Sequence, residues 1–110
     1  MSWKKIKIAE IQGIEKVVAE FYVRSITYIP NCQFRVKITE DIYGKYSARV
    51  NVAVRNSRDG SPEWVGGTGD SIDEALENSI KELVNSIKSS GKNINLLQEE
   101  DFEWSAPEDF

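Results

Sequence analysis

Apolar positions in the second half of the chain recur at the spacing of an α-helix. The stripe consists of Ile72, Leu76, Ile80, Leu83, Val84 and Ile87, which share one helical face. Ser71 precedes the stripe, and Glu74 follows three positions later, which is the pattern of a capping box. Gly91 is a suitable stop just beyond the last turn. The pattern predicts an amphipathic helix over residues 71–90.

Ahead of that helix, apolar and polar residues alternate with a period of two. One segment places Phe34, Val36 and Ile38 on its inner side and Arg35, Lys37 and Thr39 on its outer side. A second places Tyr46, Ala48, Val50, Val52 and Val54 on the inner side and Ser47, Arg49, Asn51, Ala53 and Arg55 on the outer side. Residues 41–44 between them have turn composition. The two segments therefore predict an antiparallel hairpin with one buried face.

Three weaker patterns complete the secondary structure. Residues 63–65 predict a short strand that leads into a glycine-rich turn, and residues 21–29 predict another strand. Apolar residues between Ile11 and Phe21 have helical spacing and predict a short helix that ends near Glu20. The expected fold class is α+β, with an antiparallel sheet of three or four strands and a C-terminal helix packed on one face. The order is α-β-β-β-α if the first helix forms.

Composition indicates one domain without a membrane segment. The chain has 110 residues, of which 40% are hydrophobic and 29% charged, as in an ordinary globular domain. Its apolar runs are too short to span a bilayer or to serve as a signal peptide. The single cysteine, Cys32, has no internal disulfide partner, which favours a reducing compartment. We therefore expect a cytoplasmic protein with no membrane partner.

The absence of histidine makes catalysis the weakest functional class. With no histidine in the sequence, the chain lacks the commonest general base and the usual zinc ligand. Cys32 has no histidine to activate it as a nucleophile. A magnesium site built only from carboxylates stays open. We expect no enzyme activity, no catalytic residue, no cofactor and no metal.

Charge divides the chain into an acidic end and a mildly basic body. The sequence has 14 basic and 18 acidic residues, and six of the acidic ones, with no Lys or Arg, fall after residue 98. Residues 1–98 therefore carry 14 basic and 12 acidic residues, a net charge of +2. We interpret residues 1–97 as the domain and residues 98–110 as an acidic, aromatic tail.

Basic residues are expected to share the outer side of the sheet. This predicted basic sheet face comprises Arg35, Lys37, Arg49 and Arg55. Tyr22, Arg24 and Tyr28 share one side of the preceding segment and extend the face if that segment pairs alongside. Basic and aromatic residues together suit a single-stranded nucleic acid or an acidic protein partner. The alternative is a solvated face whose charges prevent edge aggregation.

The tail combines carboxylates with aromatic side chains. Its candidate partner-binding residues are Phe102, Trp104, Phe110, Glu100 and Asp101. Aromatic anchors dominate the energy of many interfaces, and the end of the chain resembles the partner-recruiting tails of bacterial single-stranded-DNA-binding proteins. Alternatively, Phe102 and Trp104 pack back on the domain. Opposite charge also suggests that the tail lies across the basic sheet face of its own chain.

Two family resemblances lie within residues 34–88. The strand-to-helix junction of HicB-type antitoxins is similar to Gly69-Asp70-Ser71-Ile72-Asp73-Glu74-Ala75-Leu76-Glu77-Asn78. That resemblance implies a β-β-β-α domain that binds a small toxin RNase. The corresponding junction of double-stranded-RNA-binding domains resembles the glycine, serine and glutamate spacing from Gly67 to Ala75. This chain has Ile72 and Asp73 where those domains carry phosphate-binding lysines.

The combined patterns predict a non-enzymatic protein-interaction or regulatory module. Its most concrete form, implied by the first resemblance, is an antitoxin-like inhibitor of a basic protein partner. The alternative is a nucleic-acid-binding module that uses the basic sheet face. Pairing of sheet edges leaves a homodimer open.

Overall fold

Two antiparallel sheets and one α-helix form the fold in a computed structural model that describes residues 2–25 and 33–110. The strands are β1 (Lys16–Arg24), β2 (Gln33–Glu40), β3 (Tyr46–Val50), β4 (Val52–Arg55), β5 (Pro62–Glu63), β6 (Gly66–Gly69) and β7 (Phe102–Trp104). The helix, α1, spans Ile72–Lys88, and short 3-10 turns cover Trp3–Lys5, Glu99–Asp101 and Pro107–Asp109. The α+β class is confirmed. Tyr28 and Cys32 lie outside the described residues.

The larger sheet has the order β1-β2-β3-β6, and α1 packs on one of its faces. The predicted hairpin is confirmed, since β2 and β3 pair with Val36 opposite Val50 and Lys37 opposite Arg49. Gly44, at φ +80°, sits in the turn that joins them. The face towards the helix is buried and apolar, and it consists of Phe34, Val36, Ile38, Ala48 and Val50.

The predicted helix is confirmed at both ends. The Ser71 hydroxyl accepts a hydrogen bond from the Glu74 amide at 3.1 Å, and Gly91, at φ +84°, follows the last turn. The fully buried line is Ala75, Ser79, Leu83 and Ile87. The small residues of this line, Ala75 and Ser79, lie in the first half of the helix, and Leu76 and Ile80 flank the line half-buried.

A glycine on the facing strand explains why Ala75 and Ser79 can lie so close to the sheet. The glycine-rich stretch predicted as a turn is strand β6, which places Thr68 opposite Ser47 at the sheet edge. A Cβ on Gly67 would lie 2.5 Å from the Ser79 amide nitrogen. The helix backbone thus rests directly on the strand backbone, which only a residue without a side chain permits.

A break at Asn51 corrects the predicted second strand. Residues 46–55 were expected to form one strand with Ala53 on the outer side, but Val52, Ala53 and Val54 are all buried. The Asn51 side-chain oxygen accepts a hydrogen bond from the Arg35 amide at 2.8 Å. After this residue the chain leaves the first sheet, and β4 becomes the centre of a second sheet of order β5-β4-β7.

Two smaller predictions are also wrong. The expected strand at residues 63–65 is replaced by β5 and β6, with Trp64 and Val65 between them. The expected helix ending near Glu20 is strand β1, which places Phe21 opposite Val36 in the sheet. Burial against the sheet outweighs the local helical spacing, because tertiary packing overrides weak propensity. Strand β1 covers the predicted strand from Phe21 to Arg24, and residues 26–29 of that prediction lie outside the described residues.

The N-terminal segment reaches the far end of β2. The ammonium group of Lys4 donates a hydrogen bond to the Glu40 carboxylate at 2.5 Å, and this contact raises the pKa of Lys4 above its ordinary value. Within the two described ranges, no helix is both long and apolar enough to cross a bilayer.

Candidate binding surface on the open sheet face

The face of the larger sheet that points away from α1 is polar and basic. The strand register places Tyr22 of β1 opposite Arg35 of β2, and Lys37 of β2 opposite Arg49 of β3. These positions alternate with the buried residues, so they share the opposite side of the sheet. We define the open sheet face as Tyr22, Arg24, Arg35, Lys37 and Arg49. Three of the four basic residues expected together are therefore neighbours.

Arg35 lies at the centre of this face and contacts two aromatic rings. Its guanidinium carbon is 5.4 Å from the centroid of the Tyr22 ring and 5.3 Å from that of Phe110, within the range of a cation–π contact. One terminal nitrogen donates to the Glu20 carboxylate. The Nε atom is buried and has no hydrogen-bond partner among the described residues. Within the described part of the chain, Arg35 thus retains one unsatisfied donor.

Lys37 makes the second contact with the end of the chain. Its ammonium nitrogen lies 4.7 Å from the centroid of the Phe110 ring and donates to the main-chain oxygen of Phe110 at 2.5 Å. Phe110 is half-buried as a result. Phe110 of the acidic segment therefore lies on the open sheet face of the same chain, where its ring and its main-chain oxygen make the contacts.

Arg49 opens onto a groove lined by two tryptophans. The groove has a volume of about 570 Å³, and Trp64, Trp104 and Asp109 contribute to its walls. Trp64 is 47% exposed. Sequence reasoning missed this residue as a surface feature because it treated residues 63–65 as part of a strand. Arg49 is exposed, and among the described residues no carboxylate forms an ion pair with it.

Arg55 is separated from the other three basic residues. It belongs to β4 of the smaller sheet, beyond the break at Asn51. Its guanidinium donates to the Glu103 carboxylate at 2.9 Å and to the main-chain oxygen of Gly60 at 3.2 Å. Arg55 therefore fixes the smaller sheet and is not a neighbour of the open sheet face.

The acidic segment is integrated into the fold at several points. Phe102 pairs opposite Val54 in the smaller sheet and is only 4% exposed. Trp104 is half-buried opposite Val52, while Glu100 is exposed. Four of the five tail residues singled out from the sequence are therefore divided among the core, the groove, the solvent and the open sheet face, and the fifth, Asp101, pairs with Lys92.

Asp101 is the tail residue with a perturbed titration. A hydrogen bond from the Lys92 ammonium at 2.7 Å holds the pKa of Asp101 below its ordinary value, and the Gln98 amide, at 2.7 Å, acts in the same direction. Both donors stabilise the carboxylate form. The pair fastens the 3-10 turn at Glu99–Asp101 to the loop that follows α1.

We expect the contribution of Asp101 to stability to disappear in acid. Because its folded-state pKa is lowered, this stability is complete well above the pKa of about 3.9 of unfolded Asp and is lost as the pH falls through the folded-state pKa. Asp101→Asn should cost about 1 kcal/mol near neutral pH and progressively less as the pH falls below about 3.9. Thermal unfolding of both proteins across that range measures the difference. Glu100→Gln, at an exposed position, is the control, and a cost independent of pH would contradict the assignment.

The described residues offer no group of three or more His, Cys, Asp or Glu side chains that could hold a metal ion. No protein-family model, no curated protein and no solved structure matches this chain. The chemistry of the open sheet face is therefore the basis for a functional proposal.

Proposed function

We propose that the protein is a non-enzymatic interaction module that binds an acidic segment of a protein partner on the open sheet face. The observation that carries this proposal is the contact of Arg35 and Lys37 with Phe110. The chain's own acidic segment is held there by its aromatic ring and a main-chain oxygen. A segment of similar chemistry from a partner would find the same two cations.

Exposure of the surrounding residues supports the proposal. Tyr22, on the edge strand β1, is 65% exposed, so its ring is accessible to a partner. Arg24 and Arg49 are also exposed and flank the central pair. Opposite charge accelerates encounter and fixes register, while aromatic and arginine side chains supply most of the binding energy at interfaces.

An antitoxin-like inhibitor of a basic partner is an alternative, regulatory form of an interaction module. The similarity of residues 69–78 to the HicB-type junction supports it, as does the exposure of Glu99 and Glu100. That form requires the acidic segment itself to contact the partner. Since Phe102 is buried in the core, only the outer side of the segment is accessible, so we favour the open sheet face as the principal surface.

Single-stranded nucleic acid is the second candidate partner. The exposed Tyr22 ring beside Arg24 and Arg35 is the combination that stacks a base and holds its phosphate. Binding of this kind weakens steeply with salt, because released counterions drive it. An acidic protein segment held partly by aromatic contacts would lose less affinity over the same salt range.

Removing positive charge from the open sheet face is expected to weaken binding of the partner. Arg35→Gln/Arg49→Gln eliminates two cations and keeps most of each side-chain stem, so we expect at least about a tenfold loss of bound partner. The measurement is quantitative affinity capture from lysate with full-length baits, with and without nuclease. The control, Arg58→Gln/Lys88→Gln, makes the same change in net charge at two other exposed positions.

Each outcome of the capture has a defined meaning. A protein retained by the wild type and the control, but lost by the face variant, supports the proposal. Loss of that material on nuclease treatment would instead show that the open sheet face binds nucleic acid. Equal retention by all three baits would contradict both candidates. Thermal unfolding of each bait verifies that the variants are folded.

A further inference from the structure

We infer that residues 107–110 occupy the open sheet face as an internal competitor, and that the partner segment carries an aromatic residue next to acidic residues. This inference rests on the proposed function and adds the chemistry of the partner and a means of regulation. Phe110 would have to leave Arg35 and Lys37 before a partner's ring could take its place.

The bound end of the chain shows what the face accepts. Phe110 follows Glu108 and Asp109, and its ring is placed over the Arg35 guanidinium and the Lys37 ammonium group. The ring supplies the cation–π contacts, while the main-chain oxygen supplies a hydrogen-bond acceptor for Lys37. The two carboxylates remain exposed at the edge of the contact.

The internal contact leaves part of the face unsatisfied. The Arg35 Nε is buried without a hydrogen-bond partner among the described residues, and a buried donor without an acceptor is costly. Arg49, near Asp109 in the tryptophan-lined groove, has no ion-pair partner within the described part of the chain. A partner that places a carboxylate on the exposed Arg49 would make a contact that residues 107–110 do not make. The external segment then has the advantage once it is present.

The competitor is attached loosely enough to be displaced. Strand β7 ends at Trp104, and the side chains of Pro107, Glu108 and Asp109 are exposed. The contact with the open sheet face therefore depends mainly on Phe110. The short segment that joins Trp104 to Phe110 holds the ring at a local concentration on the order of millimolar. A partner of moderate affinity can compete with it.

Removing the Phe110 ring is expected to increase the affinity of the face for an external acidic segment. The probe is a fluorescein-labelled, C-terminally amidated hexapeptide with the sequence of residues 105–110. Binding to the full-length wild type, Phe110→Ala and Phe110→Tyr is measured by fluorescence anisotropy. We expect Phe110→Ala to bind the probe roughly tenfold more tightly than the wild type, since the competing conformation is removed. Phe110→Tyr, which retains the ring, should bind like the wild type.

A second substitution tests whether the gain in probe affinity arises at the open sheet face. Adding Lys37→Gln to Phe110→Ala should reverse the increase, because Lys37 contacts both the ring and the main-chain oxygen. The same peptide with alanine in place of its phenylalanine should bind at least about tenfold more weakly to Phe110→Ala. Persistence of the gain after loss of Lys37 would overturn the inference, because the peptide would then bind elsewhere.

The outcome separates this inference from the function it rests on. Equal probe affinity for the wild type and Phe110→Ala, or no binding to either up to about 1 mM, would overturn the internal competitor. The proposed function would survive that result if Arg35→Gln/Arg49→Gln still lost its captured protein. Conversely, a tenfold gain in probe affinity with unchanged capture would leave the competitor intact and contradict the proposed partner surface.

Discussion

Phe102→Ala is expected to lower the free energy of unfolding by about 3–5 kcal/mol, the usual cost of removing a buried phenylalanine. Phe102 is 4% exposed and belongs to the core cluster. It also lies in β7, which pairs with β4 although the two strands are far apart in the sequence. The free energy of unfolding of a domain of this size is about 5–15 kcal/mol, so the variant should be marginally folded.

Urea unfolding of the full-length proteins measures the effect, with Phe110→Ala as the matched control. Phe110 is half-buried on the sheet surface, and its loss should cost less than about 1 kcal/mol. The contrast separates the part of the acidic segment that holds the fold from the part that occupies the binding face. A cost below about 1 kcal/mol for Phe102→Ala would mean that β7 is not part of the cooperative core.

Gly67→Ala is expected to destabilise the protein by about 3 kcal/mol, at the upper end for overpacking of a core. The added methyl carbon would lie 2.5 Å from the Ser79 amide nitrogen and 2.9 Å from the Ala75 carbonyl oxygen. These are backbone atoms of α1, so relief requires the whole helix to move away from β6. Lifting the helix would also weaken its contact with the rest of the apolar face.

Gly13→Ala is the control for this change, because a Cβ there meets nothing within 4 Å. We expect it to alter stability by less than about 0.5 kcal/mol. Chemical unfolding at one temperature compares both variants with the wild type. Similar small effects at both positions would contradict the direct backbone contact between α1 and β6.

Local periodicity predicted the elements whose partners are close in sequence. Helix α1 and the β2–β3 hairpin follow from apolar spacing, because each buries one face and exposes the other. The break at Asn51 was not predictable in this way, since it depends on the hydrogen bond from the Arg35 amide. The buried position of Ala53 also depends on β7, which comes about fifty residues later in the chain.

The candidate site shows the same division. The common side of Arg35, Lys37 and Arg49 follows from the period of a strand, and the structure brings them together. The contact of Lys37 with Phe110 joins residues 73 positions apart, which no local pattern specifies. Of the two alternatives given for Phe102 and Trp104, the structure shows packing on the domain, because burial of the Phe102 side chain brings the acidic segment back to the core.

The central claim is that the open sheet face binds an acidic aromatic segment. Its most direct test is an NMR titration of ¹⁵N-labelled full-length Phe110→Ala with the unlabelled hexapeptide of residues 105–110. The account predicts that the largest shifts fall on the amides of Tyr22, Arg35, Lys37 and Arg49 and on the Arg35 side-chain Nε–H. Shifts centred on another surface, or no shifts at about 1 mM peptide, would contradict it.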